Sequence, residues 1–123
     1  MNAEQVVNNF IADVDRKDME AAMSWVAEDC YYDNVPLGDM RGHDKMREFL
    51  LPFFNSVGPV KFEIVRQTAA GNIVMNERID RFTMKNREIA LPVSGVFEVN
   101  NDKITFWRDY FDNGMFMQQL NGS

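Results

Sequence analysis

One cysteine, one histidine and no long apolar run remove several common chemistries from this 123-residue chain. The lone Cys30 excludes an internal disulfide, and Cys30 with His43 cannot assemble an ordinary zinc site. No nucleophile pattern matches His43, so neither a Ser–His–Asp nor a Cys–His set is available. Basic residues are outnumbered 13 to 19 and the net charge is −6, which argues against nucleic acid as a partner, because phosphate binding needs a basic surface. No apolar stretch approaches a membrane span, and Met1-Asn2-Ala3-Glu4 does not open a signal peptide. The expectation is a cytoplasmic protein without a membrane partner. Repeats, linkers and low-complexity segments are also missing. The length suits one domain over residues 1–123 with a single core.

What is present is apolar and aromatic. Ten Phe, three Tyr, two Trp and nine Met suggest a large apolar interior, with room for an apolar cavity. Val6, Val7, Phe10, Ile11 and Val14 recur at helical spacing and predict a first helix from about Ala3 to Lys17. Asp18 can cap a second, with Met19, Ala22, Met23 and Val26 inside. Cys30 to Asn34 reads as a short strand. Gly42-His43-Asp44 opens a third helix carrying Met46, Phe49 and Leu50, disturbed at Pro52. The rest reads mostly as β. Val60, Phe62 and Ile64 alternate, Gly71-Asn72 turns, and strands follow over about Ile73–Met84, Glu88–Val99 and Lys103–Phe111. Lys85-Asn86 and Asn100-Asn101-Asp102 are the hairpin turns. Asp112 caps a last short helix from Met115 to Leu120. Helices followed by a meander predict an α+β fold, with helices on one face of a curved, antiparallel-rich sheet.

Against this background five polar residues stand out. Tyr32 and Asn34 lie in Tyr32-Asp33-Asn34-Val35-Pro36, Arg78 and Asp80 in Glu77-Arg78-Ile79-Asp80, and Asp109 in Trp107-Arg108-Asp109-Tyr110-Phe111-Asp112. Each segment reads as a strand with apolar neighbours, where a carboxylate is expensive to bury without a partner. Arg78 is the obvious partner, because side chains two apart on a strand share a face. A two-residue turn at Lys85-Asn86 puts Asp80 opposite Leu91, and a turn centred on Asn100 puts Leu91 opposite Asp109. The backbones of the two acids then lie about 10 Å apart, two strand spacings, with room between the side chains for a guanidinium or for water and substrate. Pro92 is awkward in a middle strand and reads as the mark of a bulge.

Arginine stays charged and its fork can hold two carboxylates at once. Such a set can carry one proton, with one Asp as general acid and the other as general base. Tyr32 and Asn34 add groups that can hold a water. The residues by themselves fit a structural ion-pair network about as well as an active site. His43 reads as a helix-start residue, Cys30 as a small buried hydrophobe and Asp33 as outward-facing.

Together, Tyr32-x-Asn34-x-Pro36, Glu77-Arg78-x-Asp80 and Trp107-Arg108-Asp109-Tyr110-Phe111-Asp112 resemble the limonene-1,2-epoxide hydrolases, within the larger nuclear-transport-factor-2-like and SnoaL-like fold group. The similarity runs from the first helix to the last and includes Gly95-Val96-Phe97. It implies a cone-shaped α+β domain whose curved mixed sheet is lined on its concave face by three to four helices around an apolar pocket. It also implies a homodimer and a cofactor-free, one-step hydrolysis of an apolar epoxide to a vicinal diol. Asp80 matches the general acid, Asp109 the general base and Arg78 the cation bridging them, while Tyr32 and Asn34 match the residues that hold the water. Ile11, Val14, Phe53, Val57, Phe82, Leu91, Val93, Phe111 and Phe116 match substrate-pocket positions. Two other functions compete: a ketosteroid-isomerase-like or polyketide-cyclase-like enzyme using one Asp base, and a non-catalytic small-molecule-binding module. Fold does not decide among them.

Overall fold

The computed structural model describes residues 1–122. Its frame is a curved, unclosed six-stranded sheet in the order β2-β1-β6-β5-β4-β3, with four helices. The strands are β1 (Val26–Asn34), β2 (Gly38–Arg41), β3 (Val57–Ala70), β4 (Ile73–Met84), β5 (Arg87–Asn100) and β6 (Lys103–Tyr110). Among the described residues only β1 and β6 pair in parallel, which makes the sheet mixed.

Helix α1 (Ala3–Asp15) opens with a capping box between Asn2 and Gln5 and buries Val6, Val7, Phe10, Ile11 and Val14. Helix α2 (Met19–Met23) is capped by Asp18, which accepts from Ala21 N. It ends before Val26, which the apolar spacing assigns to it. Ser24 closes the helix against Ala21 and Val26 opens β1. Helix α3 (His43–Ser56) runs on through Pro52, so the Glu48 carbonyl loses its usual donor without ending the helix. Helix α4 (Asn113–Asn121) is capped by Asp112.

The hairpins fix which residues meet. Lys85 and Asn86 both take left-handed backbone (φ 52° and 62°), as a tight two-residue turn requires, and Asp80 pairs with Leu91 as the spacing predicts. The next turn differs. Asn101 and Asp102, not Asn100, form it, and a bulge at Thr105 adds one more residue. Asp109 therefore pairs with Gly95 rather than Leu91, a displacement of four residues. Four is even, so Asp109 keeps its predicted face.

Pro92 marks no bulge. It pairs with Ile79 of β4, beyond the point where Tyr110 of β6 pairs with Ser94. The same edge at Ala90 is satisfied by the side chain of Gln119 on α4, which accepts from Ala90 N (2.7 Å) and donates to Ala90 O (2.9 Å). Pro92 thus occupies an edge position, where a missing N–H costs no ladder bond. Strand β2 was not expected from the sequence. It is four residues long, mostly exposed, and lacks an apolar alternation.

Candidate active site

Strands β4, β5, β6 and β1 turn one face toward the helices, and on it the polar residues converge. Along β4, Asn76, Arg78, Asp80 and Phe82 succeed one another at the two-residue period of a strand. Across the parallel pair, Tyr32 lies beside Trp107 and Asn34 beside Asp109. Arg78, Asp80, Asp109, Tyr32 and Asn34, widely spaced in sequence, are thereby brought together and buried.

Arg78 is completely buried and all five of its N–H donors are used. Nε and Nη2 donate to Asp80 Oδ1 and Oδ2, both at 3.0 Å. Nη1 and Nη2 donate to Asp109 Oδ1 (3.1 Å) and Oδ2 (2.8 Å). The remaining Nη1 hydrogen goes to Asn76 Oδ1 at 3.2 Å. The fork thus holds two carboxylates in bidentate fashion, the arrangement for which guanidinium geometry is suited. The Phe62 ring faces the guanidinium, with the cation 5.1 Å from the ring centre.

Gly95 makes this possible. It lies between Asn76 and Asp109 on one rung of the sheet. A Cβ there would stand 2.5 Å from Arg78 Nη1 and 2.9 Å from both Asn76 Oδ1 and Asp109 Oδ1. The missing side chain is the notch in which the guanidinium sits.

The remaining groups are equally specific. Trp107 Nε1 donates to Asp109 Oδ1 at 2.8 Å. The Trp107 ring stacks on Tyr32, with centres 4.1 Å apart and planes 17° from parallel. Asn34 Nδ2 donates to the Tyr32 hydroxyl oxygen at 3.1 Å, which leaves the Tyr32 O–H free to donate. Asn34 Oδ1 is buried and has no hydrogen-bond partner among the described residues. An acceptor left in that state is costly unless a ligand or water reaches it.

Burial pushes the Asp80 carboxyl up from 3.8 to about 6, with Arg78 pulling it down and Asp109 pushing it further up. Burial and then the Asp109 charge push the Tyr32 phenol far above its ordinary range, so it is a neutral hydroxyl. Burial works against the Arg78 charge, but Asp109 and Asp80 more than offset this and hold the proton firmly. Burial pushes the Cys30 thiol up to about 12, so it stays a packed, protonated thiol away from this chemistry.

A cavity of about 120 Å³ opens in front of these groups. Tyr32, Asn34, Asp80 and Asp109 reach it, whereas Arg78 stands behind the two acids. Of the apolar residues singled out in the sequence, Val14, Phe53, Phe82 and Leu91 line it, as do Val93, Phe111 and Phe116. Ile11 and Val57 do not. Both are buried in the core outside the cavity wall, because apolar spacing marks a buried face without separating wall from core. Phe82 touches Phe53 and Phe116 edge-on, at 5.1 and 6.0 Å between centres, forming an aromatic side of the cavity. Among the described residues, no group of three or more His, Cys, Asp and Glu side chains is arranged to hold a metal ion.

Three contributors to the site carry roles that the sequence did not assign: Trp107 and Gly95, which stand in its motifs, and Asn76, which does not. Trp107 and Asn76 lie two residues from Asp109 and Arg78, so strand periodicity offered a signal. The position of Gly95 depends on a bulge that no local pattern announces.

Residues 1–121 match the family model described as the limonene-1,2-epoxide hydrolase catalytic domain. The chain is 32% identical over 117 residues to epoxide hydrolase EphG of Mycobacterium tuberculosis, covering 94% of this chain and 78% of that protein. It superimposes on the structure of an M. tuberculosis LEH-like epoxide hydrolase with a TM-score of 0.85 and 32% identity, over 98% of this chain and 90% of the other. A protein described as a SnoaL-like polyketide cyclase, from Shewanella denitrificans OS-217, gives a TM-score of 0.89 over 98% of both chains at 15% identity, a likeness of fold alone.

The buried network generates a stability prediction. Arg78→Met leaves two carboxylates without their cation and is expected to cost about 3–5 kcal/mol at pH 7. Unpaired and buried, the carboxyls hold their protons more tightly in the folded than in the unfolded chain. The deficit is therefore smallest below about pH 4, where both states are protonated, and grows as pH rises. Urea unfolding at several pH values measures it. An equal deficit at pH 4 and pH 7 would contradict the pairing.

Proposed function

Because the chain belongs to the limonene-1,2-epoxide hydrolase family, we propose that it adds water to a small apolar epoxide, giving a vicinal diol in one step by paired Asp acid–base catalysis. The carrying observation is the pair of carboxylates held on one guanidinium at the wall of an apolar cavity.

In this reading Asp80 is the general acid. A carboxyl raised to about 6 retains a proton more readily than a solvated one and can deliver it to the epoxide oxygen as the C–O bond breaks. Asp109 is the general base. It takes a proton from the water whose oxygen forms the new bond to carbon. The water donates its two hydrogens to Asp109 and to the unpartnered Asn34 Oδ1, and accepts from the Tyr32 O–H. One lone pair then remains for attack. The net result is one proton moved from Asp80 to Asp109, which exchange with solvent reverses between turnovers. Arg78 touches neither reactant. It positions both acids and holds the set near neutrality with one proton aboard. No metal, cofactor or covalent ester enters this scheme.

The cavity bounds the substrate. About 120 Å³ is close to the roughly 150 Å³ apolar cavity that holds benzene in another protein. The buried part of the epoxide is then about one six-membered ring in size. A ketosteroid-isomerase-like or cyclase-like reaction needs one Asp and gives the second acid and the Tyr32–Asn34 pair no task.

We also propose a homodimer in the cytoplasm, formed through the sheet face away from the cavity, where Ile73, Met75 and Tyr110 leave apolar surface exposed. A monomeric mass by analytical ultracentrifugation at micromolar concentration would contradict the dimer.

The catalytic assignment is tested with a panel including cyclohexene oxide and styrene oxide, comparing wild type with Asp80→Asn and Asp109→Asn. Wild type is expected to form diol, and each variant to lose about 100-fold or more of the rate. Because Asp80 must be protonated, wild-type kcat/KM falls as pH rises through about 6. Diol formation that persists in both variants would overturn the assignment.

A further inference from the structure

The fifth donor of Arg78 leads away from the cavity into a polar chain that the reaction scheme does not use. Asn76 Oδ1 accepts from Arg78 Nη1 at 3.2 Å. Asn76 Nδ2 donates to Gln67 Oε1 at 3.1 Å. Gln67 Nε2 in turn donates to Glu4 Oε2 (3.2 Å) and Asn8 Oδ1 (3.0 Å), both on α1. The chain therefore links three elements, β4, β3 and α1.

Its polarity is determined at both ends. A guanidinium only donates and an ionised carboxylate only accepts. Glu4 draws the Gln67 amide nitrogen toward α1, so Gln67 presents its oxygen to Asn76. Arg78 draws the Asn76 oxygen, so Asn76 presents its nitrogen to Gln67. Each amide has one satisfied orientation. Flipping either would set donor against donor or acceptor against acceptor in a site where Asn76 is only 5% exposed.

Position adds to this. Asn76 and Asp109 flank Gly95 on one rung, and Arg78 Nη1 occupies the notch between them. Nη1 thus has two neighbours, Asn76 Oδ1 on one side and Asp109 Oδ1 on the other. If the Asn76 acceptor is lost, one buried Nη1 hydrogen has no partner and the guanidinium is held by its two carboxylates alone, which loosens its seat in the notch. Asn76 does not line the cavity.

We infer that Asn76 is a positioning residue for the acid pair: locked by Gln67, it holds the Arg78 guanidinium in the Gly95 notch and so sets how firmly Asp80 and Asp109 are gripped. Its bearing on turnover rests on the epoxide-hydrolase reading; its bearing on the network does not.

The test is Asn76→Leu, similar in shape but without an acceptor, read in two ways. The first is titration of the Asp80 carboxyl by carbon NMR. The charged groups around Asp80 are Arg78 on β4, Asp109 on β6 and Asp15 at the end of α1, with the neutral Tyr32 on β1. A looser cation stabilises the carboxylate less, so the Asp80 midpoint is expected to rise by about half a pH unit or more. The second is turnover of cyclohexene oxide or styrene oxide. There kcat is expected to fall about tenfold with KM within about twofold, since the residue meets no substrate. A residue that only supports the fold would lower stability and leave the Asp80 midpoint unmoved. An unmoved midpoint overturns the inference, whatever happens to stability. Should Asn76→Leu fail to fold, Gln67→Leu unlocks the same amide from a more exposed position and is judged by the same midpoint. If wild type hydrolyses no epoxide, the function reading fails and the titration alone decides this inference.

Discussion

The burial of one guanidinium governs this structure. Arg78 is charged, fully enclosed and short of nothing, because each of its five donors has an acceptor. Five acceptors around one side chain demand that three strands deliver their residues to one place. Strand β4 supplies Asp80 and Asn76, β6 supplies Asp109, and β5 contributes by having no side chain at Gly95. The bulge at Thr105 is part of the same requirement. Without its extra residue, β6 would slip by one against β5, and Asp109 would turn to the other face.

The same burial sets the chemistry available. Removing the acids from water raises the Asp80 carboxyl, while the shared cation keeps two carboxylates tolerable side by side. Neither effect alone would serve the proton transfer proposed for the pair. Desolvation alone would neutralise both acids, and a fully paired, solvated set would keep both ionised. Trp107 links this site to the core. It donates to Asp109, stacks on Tyr32 and lies flat against Phe97, so the hydrophobic interior holds the polar groups in place. The stability term that follows is adverse in part, since buried ion pairs seldom repay their desolvation.

Much of this was legible in the sequence. Two-residue alternation marked the strands, Lys85-Asn86 marked a hairpin, and the spacing of Arg78 and Asp80 put both on one face. The inner face of Asp109 was also predicted, although by a register wrong by four residues. That error survived because an even slip preserves the face. What the sequence did not display were features set by tertiary contact. The Gly95 notch needs the bulge, the edge position of Pro92 needs the early end of β6, and β2 is too short and exposed to carry a pattern. The exclusion of Ile11 and Val57 from the cavity wall has the same origin, since periodicity distinguishes buried from exposed and goes no further.

The central claim is that water, activated by Asp109, attacks the epoxide directly. A single turnover in oxygen-18 water, with enzyme in excess over epoxide, tests it most directly. Direct attack puts the label into the diol on the first turnover and leaves the protein unlabelled. A first-turnover diol without label, with oxygen-18 appearing in an aspartate carboxyl group, would mean that a carboxylate attacked first and would contradict the account.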